Sequence, residues 1–373
     1  MKFVIAPDKF KGSLTGAEFC TIVEKAVSER FPRSEIVKVP LADGGDGTIQ
    51  VAEQYLGGEI VGCTVSDPLF RPMECNYLFS GKKETAFIEM AEASGHRLLG
   101  AHELNCMLTT TLGTGELVAD AIQKGAKHIF LGIGGSATND GGMGMAQALG
   151  YTFLDKDGKV LSPIGKNLAK VVAIVPPKKS LSGISVKVAC DVDNPFYGEN
   201  GAAKVYAKQK GASASEIEEL DDGLRHFASI VRSQMGIDLQ KIPGAGAAGG
   251  LGGGAVAFLN AELLSGIDLV KEMAAFEAKI KDADWIITGE GKLDDQTLSG
   301  KTIGGVIASA QKQHIPVAAF CGAVALSENE AKKMGLTHVS EVSKGIADLN
   351  VAMAMAGENL YRAVEEFLNA LET

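Results

Sequence analysis

Short apolar runs that end on glycine, aspartate or serine alternate along this chain with stretches in which apolar positions return every three or four residues. Residues 2–6, 36–39, 129–133, 186–189, 284–288 and 316–320 are runs of four or five mostly apolar positions without polar alternation, which predicts strands buried on both faces, as in a parallel sheet. The periodic stretches 15–30, 48–55, 117–123, 143–149, 217–231, 255–264 and 352–371 predict helices, and Thr15-Gly-Ala-Glu18 reads as a capping box opening the first of them. Between 59 and 90 the pattern changes to short alternating segments at 59–65, 75–79 and 86–90, separated by Pro68 and Pro72. Residues 151–161 predict a hairpin about Asp157-Gly158.

Strands alternating with helices predict an α/β protein with largely parallel sheets sandwiched by helices. Its 373 residues exceed the roughly 250 to 300 that one core supports, so two α/β domains are expected, with the active-site cleft between them. The strands before Asp8, Asp43, Gly289 and Cys321 are expected to share a sheet. That makes the first, Rossmann-like domain discontinuous, 1–70 plus 275–373, and leaves 71–274 as the second.

Composition narrows the function classes. A net charge of −10 without a basic stripe argues against nucleic acid, while leaving room for an anionic substrate held by local dipoles. The six cysteines are scattered without metal-ligand or CxxC spacing and read as buried thiols in a reducing compartment. No apolar run approaches the ~20 residues of a membrane helix, and the first run is too short for a signal peptide. A cytoplasmic protein without a membrane partner, monomer or homodimer, is expected.

The candidate chemistry sits where strands end. Gly134-Gly135-Ser136 follows the 129–133 run directly and precedes the 143–149 helix, so the glycines are expected at a helix N-terminus, with free amides suited to phosphate or carboxylate. Thr138, Asn139 and Asp140 add further polar groups. Asp8, Lys9, Lys11 and Ser13 follow the first strand, where open α/β sheets bind ligands, and Asp43 with Asp46 flanks a glycine turn after the second. Such a carboxylate pair suits Mg2+ or a substrate hydroxyl. Asp191 ends the 186–189 strand; Lys204 to Gly211 offers a basic anion contact. Residues 244–254, with seven glycines, read as a second anion-receiving loop or as close helix packing. Among Thr109, Thr110, Thr111 and Thr114, one is expected to cap the following helix. His96 and His102 lack a partner at metal-ligand spacing.

Two familiar motifs come close. Ser299-Gly-Lys-Thr302 is no P-loop, because Asp295 stands where the loop requires glycine. Gly132-Ile-Gly134-Gly-Ser-Ala137 fits the dinucleotide-binding pattern, with Asp155 as its acidic partner, and opens an oxidoreductase alternative. That alternative requires Asp155 to end the next parallel strand.

Taken together, Ala6-Pro-Asp-Lys-Phe-Lys-Gly-Ser13, Ala42-Asp-Gly-Gly-Asp-Gly-Thr48, Gly132 to Gly142, Cys190-Asp-Val-Asp-Asn-Pro195, Pro243 to Gly250 and Ile287-Thr-Gly-Glu-Gly-Lys-Leu-Asp294 resemble the bacterial glycerate kinase family over nearly the whole chain. Lys9 stands where that family usually carries serine, and Asp67-Pro-Leu-Phe70 replaces its usual Gly-Pro-Leu-Gly. The resemblance implies two α/β domains, ATP and Mg2+ as cofactors, D-glycerate as acceptor and phosphoglycerate as product, usually the 2-phosphate. With that chemistry, Gly134, Gly135, Ser136, Asn139 and Lys301 are expected at the nucleotide phosphates, and Lys11 and Lys292 as neutralising catalytic cations. Asp8, Ser13, Asp43, Gly249 and Gly250 are expected at the substrate, and Asp46 and Asp294 at the metal, with Asp43 a further metal candidate. Asp191 is the first choice of base, with Asp140 and Asp294 as alternatives.

Overall fold

The computed structural model describes residues 1–43, 48–294 and 302–371. In chain order its strands are β1 (Lys2–Ile5), β2 (Glu35–Lys38), β3 (Glu59–Ser66), β4 (Pro72–Ser80), β5 (Thr85–Glu89), β6 (His128–Gly132), β7 (Thr152–Leu154) and β8 (Ala173–Val175). There follow β9 (Ser185–Ala189), β10 (Glu262–Leu264), β11 (Trp285–Thr288), β12 (Lys292–Leu293), β13 (Val317–Cys321), β14 (Ala323–Val324) and β15 (His338–Glu341). The chain divides into two compact units, Met1–Tyr55 with Ser265–Thr373, and Leu56–Leu264.

The first unit holds a parallel five-stranded sheet in the order β15-β13-β11-β1-β2, which includes the four strands that the sequence places together. Read from β2, this is the doubly wound order 2-1-3-4-5, whose switch point lies between β1 and β11. The loops leaving those two strands carry Asp8 and Glu290. Packing follows from the apolar runs: Phe3, Ile5, Ile287, Ala318 and Phe320 face Phe19, Val23 and Val27 of the Gly16–Arg30 helix and Leu360, Val364 and Phe367 of the Ala356–Ala370 helix. Thr15 caps the first of these in a capping box with Glu18, as the sequence pattern requires.

The second unit is built on a mixed sheet of order β10-β9-β6-β5-β4-β3, parallel from β5 through β10 and antiparallel at β3 and β4. Its core joins Ile88, Leu131 and Val188 of the sheet to Leu117 and Val118 of the Leu112–Gln123 helix. A second cluster, around Phe153, Phe196, Phe227 and Phe258, anchors the Ala214–Met235 helix.

Three expectations change. The boundaries at 70 and 275 move to 55 and 265, because all of β3 pairs with β4, and because Lys271 of the Gly266–Met273 helix donates to the Gly305 carbonyl in the first unit. The predicted 255–264 helix stops at Leu259: Asn260 turns left-handed with φ 51°, and 262–264 becomes β10. The C-terminal helix breaks at Met355 into Leu349–Ala354 and Ala356–Ala370. Phe70, where the glycerate kinase pattern has glycine, has φ 65°. Asp67 holds that turn by accepting the amides of Leu69 and Arg71.

Candidate active site

In the second unit the register aligns Glu89, Gly132 and Ala189 on the adjacent strands β5, β6 and β9. Two residues further, Gly134 and Asp191 therefore leave neighbouring strands at the same level of the sheet's carboxyl edge. Both are exposed. The turn that follows Gly134 is held from one side by a backbone bridge to Gly95, with the Ala137 amide donating to the Ser94 carbonyl and the His96 amide to the Gly135 carbonyl. Those two bonds leave the amides of Gly134, Gly135 and Ser136 without an acceptor among the described residues. From beneath, Lys210 Nζ donates to Ser136 Oγ at 2.7 Å and to the Thr138 carbonyl at 2.8 Å. Lys210 is 2% exposed, and burial pushes its ammonium down to about 8, against the pull of Cys106 and Asp140.

The glycines do not stand at a helix N-terminus as expected. The Met143–Ala148 helix starts seven residues beyond Ser136, behind a Gly142 cap with φ 77°, and its first amides are already taken. Asp140 accepts from Gly142 N and Gly144 N at 3.1 Å and from Thr111 N and Oγ1 at 2.8 Å, while Thr111 Oγ1 accepts from Met145 N. Thr111 thus serves the neighbouring helix and makes no side-chain cap for its own. Burial raises the Asp140 carboxyl and the four donors oppose that shift. With both oxygens engaged, Asp140 is a scaffold carboxylate, and it drops out as a candidate base. The anion-receiving groups are those of the 134–136 turn itself.

Asn139 is wholly buried, and among the described residues neither of its amide atoms nor the neighbouring Thr138 hydroxyl has a partner. Gly249 and Gly250, expected at the substrate, answer a packing need. Their φ values are 69° and 89°, and a Cβ would meet the Thr138 carbonyl at 2.0 Å from Gly249 and Gly141 Cα at 2.9 Å from Gly250. The 244–254 loop is close packing against the 138–142 segment.

At the carboxyl edge of the first unit, Asp8 accepts from its own neighbour, Lys9 N, at 2.7 Å and from Thr302 Oγ1 at 2.5 Å. Burial first, and then the Asp43 charge at the end of the adjacent strand β2, raise its carboxyl above the ordinary range. Asp8 N donates to the Gly289 carbonyl, and the Gly322 and Ala323 amides donate to the Glu290 and Gly291 carbonyls, so three loops are stitched together. Beside them is a cavity of about 300 Å3 lined by Phe10, Lys11, Ser13, Gly291, Gly322 and Met353. Lys11 is exposed; Ser13 Oγ donates to the Met353 carbonyl at 3.4 Å, which gives it a structural task. Lys292 is 62% exposed and pairs with Asp294 at 3.2 Å. Asp46 and Lys301 lie outside the described residues.

The oxidoreductase alternative fails on topology. β7 pairs antiparallel with β8 in a separate ribbon, and Asp155 Oδ1 accepts the amides of Asp157 and Lys159 in a hairpin turn. Sequence reasoning missed Lys210 as a named residue: the segment around it was legible as basic, but Lys204, Lys208 and Lys210 are indistinguishable by spacing. It also passed over Thr302, whose hydroxyl meets Asp8 across 294 positions. Among the described residues no helix is long and apolar enough to cross a membrane.

A model of the glycerate kinase family matches residues 3–372. The chain is 42% identical to a glycerate kinase of Bacillus cereus over 96% of its own length and 95% of that protein's. It is 41% identical to the glycerate 2-kinase of Escherichia coli over 97% and 96% of the two chains. A crystal structure from Salmonella typhimurium LT2, described as a glycerate kinase 2, superposes with a TM-score of 0.86 at 39% identity, covering 100% of this chain and 98% of that one.

Proposed function

This chain belongs to the glycerate kinase family, and from that premise we propose that it transfers the γ-phosphoryl group of ATP to D-glycerate at the C2 hydroxyl, giving ADP and 2-phosphoglycerate. The name of the Escherichia coli relative, a glycerate 2-kinase, supports the C2 position. The observation that carries the reading is the 134–136 turn, with three open amides and a buried lysine beneath it at a parallel-sheet edge.

Phosphoryl transfer asks a protein chiefly to position two anions and to neutralise charge as it develops. Gly134, Gly135 and Ser136 supply donors for one such anion. Asp191, from the adjacent strand, takes the proton of the glycerate hydroxyl as its oxygen bonds to phosphorus and the bond to the ADP oxygen breaks. Lys11 and Lys292 bring positive charge to the edge of the first unit. Asp8, whose carboxyl is raised by burial and further by the Asp43 charge, and Asp43 itself fit Mg2+, which takes one or two carboxylates alongside phosphate oxygens. When bound, Mg2+ would neutralise phosphate charge there. Asp46, Asp294 and Lys301 keep the metal and phosphate roles that the sequence assigns them.

An ADP-release assay with D-glycerate, followed by a phosphorus NMR spectrum of the product, tests this directly. Turnover with a 2-phosphate signal is expected. A 3-phosphate signal overturns the position, and absence of ADP release overturns the activity.

A further inference from the structure

We infer that Lys210 is the residue that makes the 134–136 turn an anion site: it is a positioning residue which fixes the Ser136 hydroxyl as an outward donor and places one positive charge beneath the bound anion. The inference rests on the kinase reading above and adds to it a group that never touches substrate.

The argument is one of hydrogen-bond direction. A lysine ammonium can only donate, so Ser136 Oγ must be the acceptor of the 2.7 Å contact. The serine proton is then free to point elsewhere, and Ser136 is only partly buried. The turn consequently presents four donors, the amides of Gly134, Gly135 and Ser136 and the Ser136 hydroxyl. The second Lys210 bond, to the Thr138 carbonyl, pins the chain just after the turn. The Gly95 bridge pins it on the other side.

A buried ammonium is costly to hold without a balancing charge. The charged or titratable groups around Lys210 are few: Asp140, whose oxygens are engaged by four other donors, and the Cys106 thiol, pushed up to about 11 by burial. His96 Nε2 bonds the carbonyl of Gln209, the residue before Lys210. Among the described residues no carboxylate pairs directly with Lys210; Asp140 acts on it only through its charge, and an anion bound at the turn would supply a further balancing charge. Two sources share this chemistry, a phosphate of ATP and the carboxylate of D-glycerate.

Steady-state kinetics of Lys210→Met, Lys210→Arg and Ser136→Ala test the inference. A charge-assisted contact is lost in Lys210→Met, so KM for one of the two substrates is expected to rise about tenfold or more while the other changes little. The substrate that responds identifies the anion. Ser136→Ala, which leaves Lys210 in place, is expected to raise the same KM by a smaller factor. In the wild type that KM is expected to climb as pH passes about 8, where the ammonium loses its proton, and Lys210→Arg, which keeps its charge, is expected to remove the climb. If Lys210→Met does not fold, Ser136→Ala and the wild-type pH profile decide alone. Unchanged KM values for both substrates in Ser136→Ala, with a flat wild-type profile to pH 9, overturn the role of Lys210. Wild-type turnover in the same experiment keeps that failure separate from failure of the kinase reading.

Discussion

Asp140 and Asp8 both stand in loops that follow buried parallel strands, both are raised by burial, and they do opposite work. Asp140 accepts four hydrogen bonds from three separate residues and holds the loop before the Met143–Ala148 helix to the start of the Leu112–Gln123 helix. Asp8 accepts two, and a second carboxylate, Asp43, lies close enough to raise it further. A carboxylate saturated with donors is a rivet; one left with a like-charged neighbour is in a state that only a cation or a proton relieves. The same contrast runs through the two sheet edges. In the second unit the turn presents open donors, and in the first Asp8 and Asp43 bring two carboxylates close together.

The largest expected effect breaks the rivet. Asp140→Ala leaves the amides of Thr111, Gly142 and Gly144 buried without an acceptor, at ~1 to 3 kcal/mol for each group that water cannot reach. Chemical denaturation is expected to show a loss of about 3 kcal/mol or more, and a loss under ~1 kcal/mol would mean that Asp140 is not structural. Asp191→Asn is expected to leave the denaturation midpoint alone, since the residue is exposed, and to lower kcat by about 10²-fold, the usual consequence of losing a general base. If the variant retains more than about a tenth of wild-type kcat, the base lies elsewhere.

Asp8→Asn sharpens the comparison because its two readouts should move in opposite directions. A carboxyl raised in the folded state binds its proton more tightly there than in the unfolded chain. Stability is therefore lost as pH rises from the ordinary carboxylate range through the raised value. Asparagine can still accept from Thr302 and carries no charge. Thermal melting at pH 7 is expected to rise by about 2 °C or more, while activity with ATP and D-glycerate falls. A melting temperature that falls, or that follows the wild-type pH dependence between pH 4 and 7, would place Asp8 with Asp140 as a scaffold group.

How much of this was legible follows from how local each signal is. Strands buried on both faces show themselves as apolar runs, so β1, β6, β11 and β13 could be read directly, and β9 could be read although Lys187 interrupts its run and its burial alternates. β15, with every residue only half-buried, has no such run and was missed, as was β10 behind a run of apolar helix residues. The capping box at Thr15 and the turn at Asp155 are encoded within a few residues and were read correctly in kind. The site was legible only as far as its backbone. Gly134 to Ser136 declare themselves by composition, but whether Asn139 is open or sealed depends on Gly249, more than a hundred positions away. Asp8 against Thr302 and Lys210 against Ser136 are likewise pairings across the chain, and no spacing rule reaches them.

The smallest expected effect concerns the exposed cation that stands opposite in kind to Lys210. Lys292 is 62% exposed, and its pairing with Asp294 at 3.2 Å is a surface ion pair, which contributes at most ~1 kcal/mol to stability. Lys292→Met is therefore expected to leave the melting temperature within about 2 °C of wild type. If Lys292 neutralises phosphate as proposed, kcat/KM should still fall severalfold. Because the charge is solvated, the gap between variant and wild type should narrow as salt is raised toward 1 M, where screening acts within about 3 Å. A gap that salt does not close would show that Lys292 acts by direct contact inside a site that excludes solvent, which is not the arrangement its 62% exposure describes.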